Sequence, residues 1–375
     1  MTRVLHVIDS LDLGGAQTAL LNLLTSSDRQ EFHHEVAVMH GRGMFANEFE
    51  AAGIPVHSLS AHRWPPEYLW RFPALLKHGR FDVVHCHLFG ANWIAKPMAF
   101  FMGCRCLYNH DQCNDAFRSD SRIVTWIDAA MNRFSTRVLT VSHSITRFLL
   151  EAESIPEDKL TYLPNSVDLK RFHPATNSER ILARKLFGIP AEATVIGAVG
   201  RLTAQKQFET FVQSAGILRE RHPDWVFVLF GSGPDEFPLR KMASDLGDSF
   251  RFVGATPHRA AIYHALDVQV LTSKFEGLPM TILEGMASGV PVVASRVDGV
   301  LEVATDREHA LLVDPGDAAG FAEAIEEILS PSPVQEQLRE SARALVEQNF
   351  DANVLSKRLH TLYNQDLTRG RESGT

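Results

Sequence analysis

The sequence has few of the features that mark secreted, membrane-spanning or disulfide-stabilised proteins. Only 4 of its 375 residues are cysteine, too few for a disulfide framework in a chain of this length, and no Asn-x-Ser/Thr glycosylation site occurs. The longest uncharged apolar run near the middle, residues 97–104, is far shorter than the ~20 residues that span a bilayer. Asp9 and Asp12 interrupt what would be the apolar part of a signal peptide. We therefore expect a cytoplasmic protein.

Positive charge is also scarce, which argues against binding to a phosphate backbone. The chain has 37 Lys and Arg against 45 Asp and Glu, a formal net charge of −8. We therefore expect no nucleic-acid partner. Apolar residues make up 45% and charged residues 22%, which is typical of globular proteins and excludes a disordered chain or a coiled coil. The length predicts two or three domains.

Short β-branched runs alternate with stretches of helical spacing. The first run, residues 4–8, ends at a Gly14-Gly15 loop and is followed by helical spacing over 16–24. The pattern stops in the Pro-, Asn- and Ser-containing stretch 164–179 and restarts with a strand over 194–199. The remaining predicted strands are 35–39, 82–87, 138–141, 225–230, 250–253, 268–271 and 290–294. This alternation predicts two α/β halves, each with a parallel sheet covered by helices on both faces.

Two cations lie in the loop that follows the strand over 194–199. Arg201 and Lys206 are separated by five positions in this loop. Loops at the carboxyl ends of parallel strands face the ligand crevice. There, Arg offers a bidentate fork for phosphate oxygens and Lys a mobile point charge. Two solvated surface cations would produce the same pattern, and this loop alone favours that simpler interpretation.

A Gly-Pro loop flanked by two carboxylates precedes a predicted apolar helix. Gly277 and Pro279 form the loop, and Pro279 suits the first turn of a helix. The backbone N–H groups over 278–281 would then be donors at the positive helix end. Glu276 precedes the helix, whereas Glu284 lies within its apolar run, where a carboxylate needs partners. We interpret this set as a binding site for an anionic ligand with hydroxyl groups, rather than as a capping acid and a solvated acid.

Taken together, these motifs resemble glycosyltransferase family 4, whose members are retaining enzymes that use nucleotide sugars. The resemblance covers nearly the whole chain and is densest over 195–317, where Glu276 and Glu284 have the family's Glu-x7-Glu spacing. The family often has Glu where Gln17 stands, and Gly where Ser166 and Gln207 stand. The matching first-half motifs are Leu13-Gly14-Gly15-Ala16-Gln17, Asp82-Val83-Val84-His85-Cys86-His87, Tyr108-Asn109-His110-Asp111 and Pro164-Asn165-Ser166-Val167-Asp168.

The resemblance implies a role for each matching residue. Arg201 and Lys206 would bind the donor diphosphate and stabilise its charge as the bond to the sugar breaks. Glu284 would hold the ribose hydroxyls, and His110 would contact the donor sugar. Glu276 would hold the same sugar together with the backbone N–H groups of Gly277 and Leu278. The other substrate-binding positions implied are Gly14, Gly15, Pro279, Thr281, Gly231, Val253, His87 and Asn165.

The resemblance also implies the GT-B fold, an α/β architecture of two Rossmann-like parallel-sheet domains facing across a cleft. Residues 1–172 would form the acceptor-side domain and residues 173–349 the nucleotide-sugar-binding domain. A helix over 350–367 would pack back onto the first domain. No cofactor is expected besides the donor substrate, and no metal, since no Asp-x-Asp motif lies in a suitable loop.

The implied activity is transfer of a hexosyl unit from a nucleotide diphosphate sugar to a glycan or lipid-linked acceptor, in polysaccharide or glycolipid biosynthesis. Two alternatives stay open. One is a sugar-nucleotide epimerase or hydrolase with the same fold, and the other is a non-catalytic nucleotide-sugar-binding protein. The joint presence of Arg201, Lys206, Glu276 and Glu284 argues against the non-catalytic alternative.

Two further features have competing interpretations. His85-Cys86-His87 suggests a metal site, but on a strand Cys86 points away from the two histidines, so we expect no metal there. His87 fits a cleft-lining residue and a plain core histidine equally well. The segment 69–80 mixes basic and large apolar residues, which fits a core helix or a membrane-surface helix. Transient contact with the inner face of a membrane therefore stays open.

Overall fold

The chain folds into two compact units. The computed structural model describes residues 1–12, 14–60, 67–112, 121–330 and 333–372. The first unit comprises residues 1–166 together with the segment from Ala352 onward, and the second comprises residues 167–351. The sequence analysis placed the corresponding divisions at 172/173 and at 350. Leu13 and Cys113, which that analysis named, lie outside the described residues.

The first unit contains a seven-stranded, entirely parallel sheet. Its strands are β1 Thr2–Ile8, β2 Phe32–Val38, β3 Val56–Ser58, β4 Val83–His87, β5 Cys106–Asp111, β6 Arg137–Thr140 and β7 Leu160–Tyr162. They lie in the order β3-β2-β1-β4-β5-β6-β7. The α-helices of this unit are Gly15–Thr25, Ala46–Ala51, Tyr68–Gly79, Leu88–Gly90, Lys96–Phe101, Arg122–Asn132, His143–Glu151 and Ala352–Glu372. A π-helical turn covers Ala91–Ala95 and a 3₁₀ turn covers Glu157–Lys159.

The second unit contains a six-stranded parallel sheet. Its strands are β8 Val195–Val199, β9 Val226–Phe230, β10 Phe250–Gly254, β11 Val268–Leu271, β12 Val292–Ser295 and β13 Leu311–Val313. They lie in the order β10-β9-β8-β11-β12-β13. The α-helices are Asn177–Leu186, Phe208–Arg221, Glu236–Met242, Arg259–Ala265, Met280–Ala287, Asp298–Leu301, Ala318–Leu329 and Pro333–Asn349, with a 3₁₀ segment over Ser244–Ser249. Phe211, Phe227 and Phe321 lie at the centre of its core and are completely buried.

Every strand predicted from the sequence is present, and the parallel α/β class is confirmed. The sequence analysis missed β3, β5, β7 and β13. Three of these have only three residues, too few to show a pattern. β5 was missed because Asn109, His110 and Asp111 make it look polar, although all six of its residues are buried. One helix boundary was also wrong, since Pro279 is the N-cap of Met280–Ala287 and does not lie in its first turn.

The last helix, Ala352–Glu372, is attached to the first sheet by buried polar groups. The Tyr108 hydroxyl donates to Asp366 at 2.5 Å. Arg137 donates to both carboxylate oxygens of Asp366, at 2.8 and 2.7 Å. Burial alone would raise the pKa of Asp366, but these hydrogen bonds lower it below its usual range. Because a buried carboxylate needs such partners, this helix is fixed in one position on the sheet.

A second polar group in this unit, Lys96, is completely buried. Its ammonium group donates to Asn132 Oδ1 at 2.9 Å and to Ser135 Oγ at 2.8 Å. Burial lowers the pKa of Lys96 to about 7, because the charged form loses its hydration. The titratable groups that oppose this effect are Cys86, Asp128, Asp111 and Glu153.

Raising the pH from 7 to 9 is expected to stabilise the native chain relative to a Lys96→Met variant. The unfolded chain holds the lysine proton until about pH 10.4, whereas the folded chain releases it near pH 7. Unfolding then requires proton uptake, so stability rises with pH by up to ~1.4 kcal/mol per unit in this window. Urea unfolding gives the free energy of unfolding of both proteins at both pH values. The value for the native chain minus the value for the variant should rise by about 2 kcal/mol from pH 7 to pH 9. A difference that does not change with pH would contradict the buried, weakly basic lysine.

Candidate active site

Both sheets reverse their strand order at a point where candidate residues collect. In the first sheet the reversal lies between β1 and β4, and in the second between β8 and β11. Ligands of open parallel sheets bind outside the carboxyl ends of the strands at such a reversal. The loop with Arg201 and Lys206 follows β8, and the loop with Glu276 follows β11. These loops, predicted separately from the sequence, are therefore neighbours at the reversal of the second sheet.

Three hydrogen bonds join these two loops through their backbones. Lys274 N–H donates to Gln205 O at 2.8 Å, and the Gln205 side-chain amide donates to Phe275 O at 3.0 Å. The Thr272 hydroxyl donates to Lys206 O at 2.8 Å. The positions of the cation and the carboxylate are thus fixed relative to each other by backbone contacts as well as by their own attraction.

Lys206 and Glu276 form an ion pair in this fixed frame. Lys206 Nζ lies 2.5 Å from Glu276 Oε1, and the Ser273 hydroxyl donates to the same oxygen at 2.5 Å. The side chains of the pair are only 16% and 8% exposed. Arg201, by contrast, is exposed and makes no side-chain hydrogen bond or ion pair within the described residues. The site therefore contains a cation that is paired with a carboxylate, Lys206 with Glu276, and a second cation, Arg201, that has no ion-pair partner within the described residues.

The helix Met280–Ala287 begins directly after this loop. Leu278 and Pro279 are buried, whereas Gly277 and Thr281 are partly exposed. The first N–H groups of a helix have no intrahelical acceptor and carry partial positive charge. The Thr281 hydroxyl oxygen is buried and has no hydrogen-bond partner in the described part of the chain. This helix end can therefore supply donors to an anion.

Glu284 lies inside the same helix and is 3% exposed. Arg259 donates a hydrogen bond to Oε1, and the Tyr263 hydroxyl donates to Oε2 at 2.6 Å. Burial raises the pKa of the Tyr263 phenol, which keeps it protonated and able to donate. The Arg259 guanidinium also lies 5.6 Å from the centre of the Phe172 ring. The carboxylate that the resemblance assigns to ribose is thus held in position by hydrogen bonds from two side chains.

The sequence analysis did not identify Arg259 or Tyr263. They precede Glu284 by 25 and 21 residues and reach it from a separate helix, Arg259–Ala265. No spacing rule connects them. The apolar surroundings of Glu284 predicted that partners must exist, but not which residues they are.

Gly231 and Val253 both lie at the carboxyl edge of the second sheet. Gly231 has φ of 136°, and a Cβ there would lie 1.8 Å from Gly200 O. The loop after β9 therefore needs glycine to let the Gly200 loop approach closely. Val253 is partly exposed near the end of β10. Both residues lie at the carboxyl edge of the sheet, and the structure gives Gly231 a packing role there.

In the first unit, Gly14 and Gly15 lie between β1 and the helix Gly15–Thr25. Gly14 is the N-cap in an extended conformation and, as a glycine, offers no side chain to cap this helix. The side-chain amide of Gln17 donates to Ser10 O at 3.0 Å. A Cβ added to Gly14 would lie only 2.4 Å from Gln17 Oε1, so this side chain fills the space beside the glycine. Gln17 thus braces the loop, while Gly15 is exposed at the start of the helix.

His87, His110 and Asn165 are all buried in the first unit. His87 and His110 are directly opposite each other on β4 and β5. His110 Nε2 lies 3.3 Å from Leu163 O, and His87 Nε2 lies 3.0 Å from His6 Nδ1. The sequence analysis left His87 open between a cleft-lining and a core residue, and here it has the surroundings of a core histidine. The roles assigned to these three residues stay predictions.

Two family models together match most of the chain. Residues 13–171 match the family described as Glycosyltransferase Family 4, and residues 179–345 match Glycosyl transferases group 1. The chain is a family 4-like glycosyltransferase of the GT-B fold. The family and fold implied by the motifs are thereby confirmed.

Individual relatives agree with the family assignment, and a solved structure of another protein agrees with the fold. A UDP-Gal:alpha-D-GlcNAc-diphosphoundecaprenol alpha-1,3-galactosyltransferase of Escherichia coli is 28% identical over 261 residues, 67% of each chain. The lipopolysaccharide core biosynthesis glycosyltransferase LpsE of Rhizobium meliloti is 34% identical over 185 residues, 48% of this chain and 53% of its own. The crystal structure of Anabaena HepE in complex with UDP and glucose is 20% identical with a TM-score of 0.85, covering 97% of this chain and all of that one.

Replacing Glu284 by Ala is expected to destabilise the second unit by about 3–5 kcal/mol, because it removes the carboxylate partner of a buried guanidinium. Urea unfolding of Glu284→Ala, Arg259→Ala and the double variant measures this. The double variant should lose less stability than the two single variants lose together, by at least ~1 kcal/mol. Additive effects would show that the two side chains do not support each other.

Proposed function

We propose that this glycosyltransferase transfers a hexosyl unit from a nucleoside diphosphate sugar and that the second unit binds the donor. The observation that carries this proposal is the joining of the two loops after β8 and β11. It collects Arg201, the Lys206–Glu276 pair and the start of helix Met280–Ala287 at one sheet edge. A diphosphate needs cations and N–H donors, whereas a sugar needs carboxylate acceptors. This edge of the sheet supplies both.

The chemistry depends most on charge that develops on the leaving diphosphate. When the bond to the sugar breaks, negative charge grows on the diphosphate and positive charge on the sugar ring. Lys206 and the helix N–H groups are already oriented, and Arg201 adds an exposed cation beside them, so together they stabilise that growing charge more than the ground state. We propose that these groups carry the diphosphate charge without a metal ion. Glu276 would orient the sugar hydroxyls, and Glu284 the ribose.

Retention of the anomeric configuration and the acceptor class also belong to this proposal. In the mechanism implied by the family, the acceptor attacks the face that the diphosphate leaves, and the donor phosphate helps to take its proton. Relatives named for lipid-linked and lipopolysaccharide acceptors favour a glycan or lipid-linked acceptor here. Polysaccharide or glycolipid biosynthesis would then be the cellular process.

Arg201→Ala and Lys206→Ala are each expected to lower transfer by at least ~100-fold while leaving the fold intact. Substrate identification comes first, by thermal shifts with uridine, guanosine and adenosine diphosphates and their sugars, since ligand binding raises the melting temperature. Lys241→Ala, an exposed lysine on helix Glu236–Met242, is the control and should retain full activity. Near-native turnover in both site variants would refute the assignment.

The same measurements separate the alternatives. An epimerase or hydrolase would consume the donor at the same rate with and without acceptor. A non-catalytic binding protein would show the thermal shift but no turnover. We favour transfer because the curated relatives that match the chain are named as transferases, among them the galactosyltransferase and LpsE.

We further propose transient contact with the inner face of a membrane through the first unit. Helix Arg122–Asn132 exposes Ile123 and Trp126, each 72%, and Phe101, the last residue of helix Lys96–Phe101, is 78% exposed. No described helix is long and apolar enough to cross a bilayer. Large apolar side chains exposed in this way are able to contact lipid.

A Trp126→Ser/Phe101→Ser double variant is expected to bind anionic vesicles at least ~10-fold more weakly than the native chain, because it loses two large apolar anchors. Vesicle co-sedimentation measures this. Phe237→Ser, which removes a 79%-exposed side chain from the second unit, is the control and should have no effect. Equal binding by all three proteins would contradict contact through this surface.

A further inference from the structure

Buried histidines form a continuous row on one face of the first sheet. Backbone register places His6 of β1 beside His85 of β4, and His87 of β4 beside His110 of β5. His34 of β2 lies on the other side of His6. None of these five side chains is more than 6% exposed. A row of polar rings in a protein core requires an explanation, because buried polar groups are costly unless they are paired.

Hydrogen bonds pair only part of this row. His6 Nδ1 lies 3.0 Å from His87 Nε2, and His6 Nε2 lies 3.0 Å from His34 Nδ1. His85 Nδ1 lies 2.6 Å from the Tyr363 hydroxyl of the last helix. Three ring nitrogens of this row are buried and have no hydrogen-bond partner in the described chain, namely His85 Nε2, His87 Nδ1 and His110 Nδ1. Native proteins leave few such atoms, and a bound ion is one of the causes.

One nitrogen from each of His6, His85 and His87 lies within 4.8 Å of the other two. The three rings come from two adjacent strands and project from the same face of the sheet. We propose that these three histidines form a binding site for one divalent transition metal of the zinc class. Imidazole is a preferred ligand of Zn²⁺, Ni²⁺ and Cu²⁺, and three imidazoles with an open fourth position form a stable zinc site.

The surroundings hold the rings in a state that suits a metal. Burial keeps the pKa of His6, His85 and His87 well below the usual value, so all three are neutral and have a lone pair to offer. A metal-bound histidine commonly hydrogen-bonds through its second nitrogen. Tyr363 is such a partner for His85, and His34 is one for His6. The opposite nitrogen of His85, Nε2, has no partner in the described chain, whereas His6 Nδ1 contacts His87 Nε2 and would exchange that hydrogen bond for the ion.

The sequence analysis did not expect this site because it considered His85 and His87 with Cys86. Cys86 does point to the opposite face, into a separate apolar cluster, as that analysis concluded. The third ligand is His6, from a strand 79 positions earlier than His85 (85 − 6) and adjacent to it only in the folded sheet. The site lies within the first unit and does not depend on the donor assignment.

Metal binding to the untagged full chain provides the test. Equilibrium dialysis against Zn²⁺ with elemental analysis should give one ion per native chain, and Co²⁺ should give an absorption band typical of nitrogen ligation. His85→Gln and His87→Gln are expected to lose the ion at concentrations that saturate the native protein. Tyr363→Phe keeps all three ligands and should weaken binding by at least ~10-fold, which distinguishes ligand positioning from a folding defect.

His33→Gln is the matched control. His33 is half-exposed beside Glu35 and His57, where an adventitious surface site would form. This variant should bind one ion as the native chain does. The proposal is overturned if the native chain binds no ion, if His85→Gln and Tyr363→Phe bind as well as the native chain, or if only His33→Gln loses binding.

Discussion

The ion pair between Lys206 and Glu276 is the interaction on which the candidate donor site depends. It joins two loops that come from adjacent strands and that the chain supplies 70 residues apart. Three further hydrogen bonds between the same loops, made through backbone carbonyls, hold the pair in position. In the function proposed here, an arriving diphosphate would meet a lysine that is already oriented and would replace Glu276 as its partner. Preorganisation of this kind is what electrostatic catalysis requires.

The rest of the second unit supports that arrangement. Gly231 allows the loop after β9 to approach Gly200 closely, and the loop that bears Arg201 lies against it. Gly299 has a similar role beside the Glu276 loop, since a Cβ there would lie 2.4 Å from Glu276 O. Arg259 and Tyr263 hold the Glu284 carboxylate in position by hydrogen bonds inside a largely apolar helix. Gly231 and Gly299 thus help to determine the positions of the charged groups, because they allow the loops that carry those groups to pack closely.

The first unit uses buried polar groups differently. Its last helix contributes Tyr363 to the histidine row and Asp366 to the Tyr108–Arg137 cluster. Both sets join the sheet to this helix. Polar contacts of this kind fix one packing arrangement where apolar contacts alone would allow several.

The sequence was sufficient for the features that depend on local pattern. The parallel α/β class followed from alternating strands and helices, and the positions of Arg201 and Glu276 followed from the loops after two strands. Contacts between residues that are distant in the sequence could not be predicted from it. Arg259 meets Glu284 from another helix, and His6 joins His85 only through strand pairing. β5 was missed for a related reason, because its polar residues are buried by elements that no local pattern reveals.

Hydrogen–deuterium exchange with and without a nucleoside diphosphate tests the central claim most directly, because it locates the ligand without assuming an acceptor. The account predicts that saturating ligand slows exchange in residues 200–207 and 272–284, with smaller changes elsewhere in the second unit. Slowed exchange confined to other segments, with these two unchanged at saturation, would contradict the assignment of the donor site to Arg201, Lys206, Glu276 and Glu284.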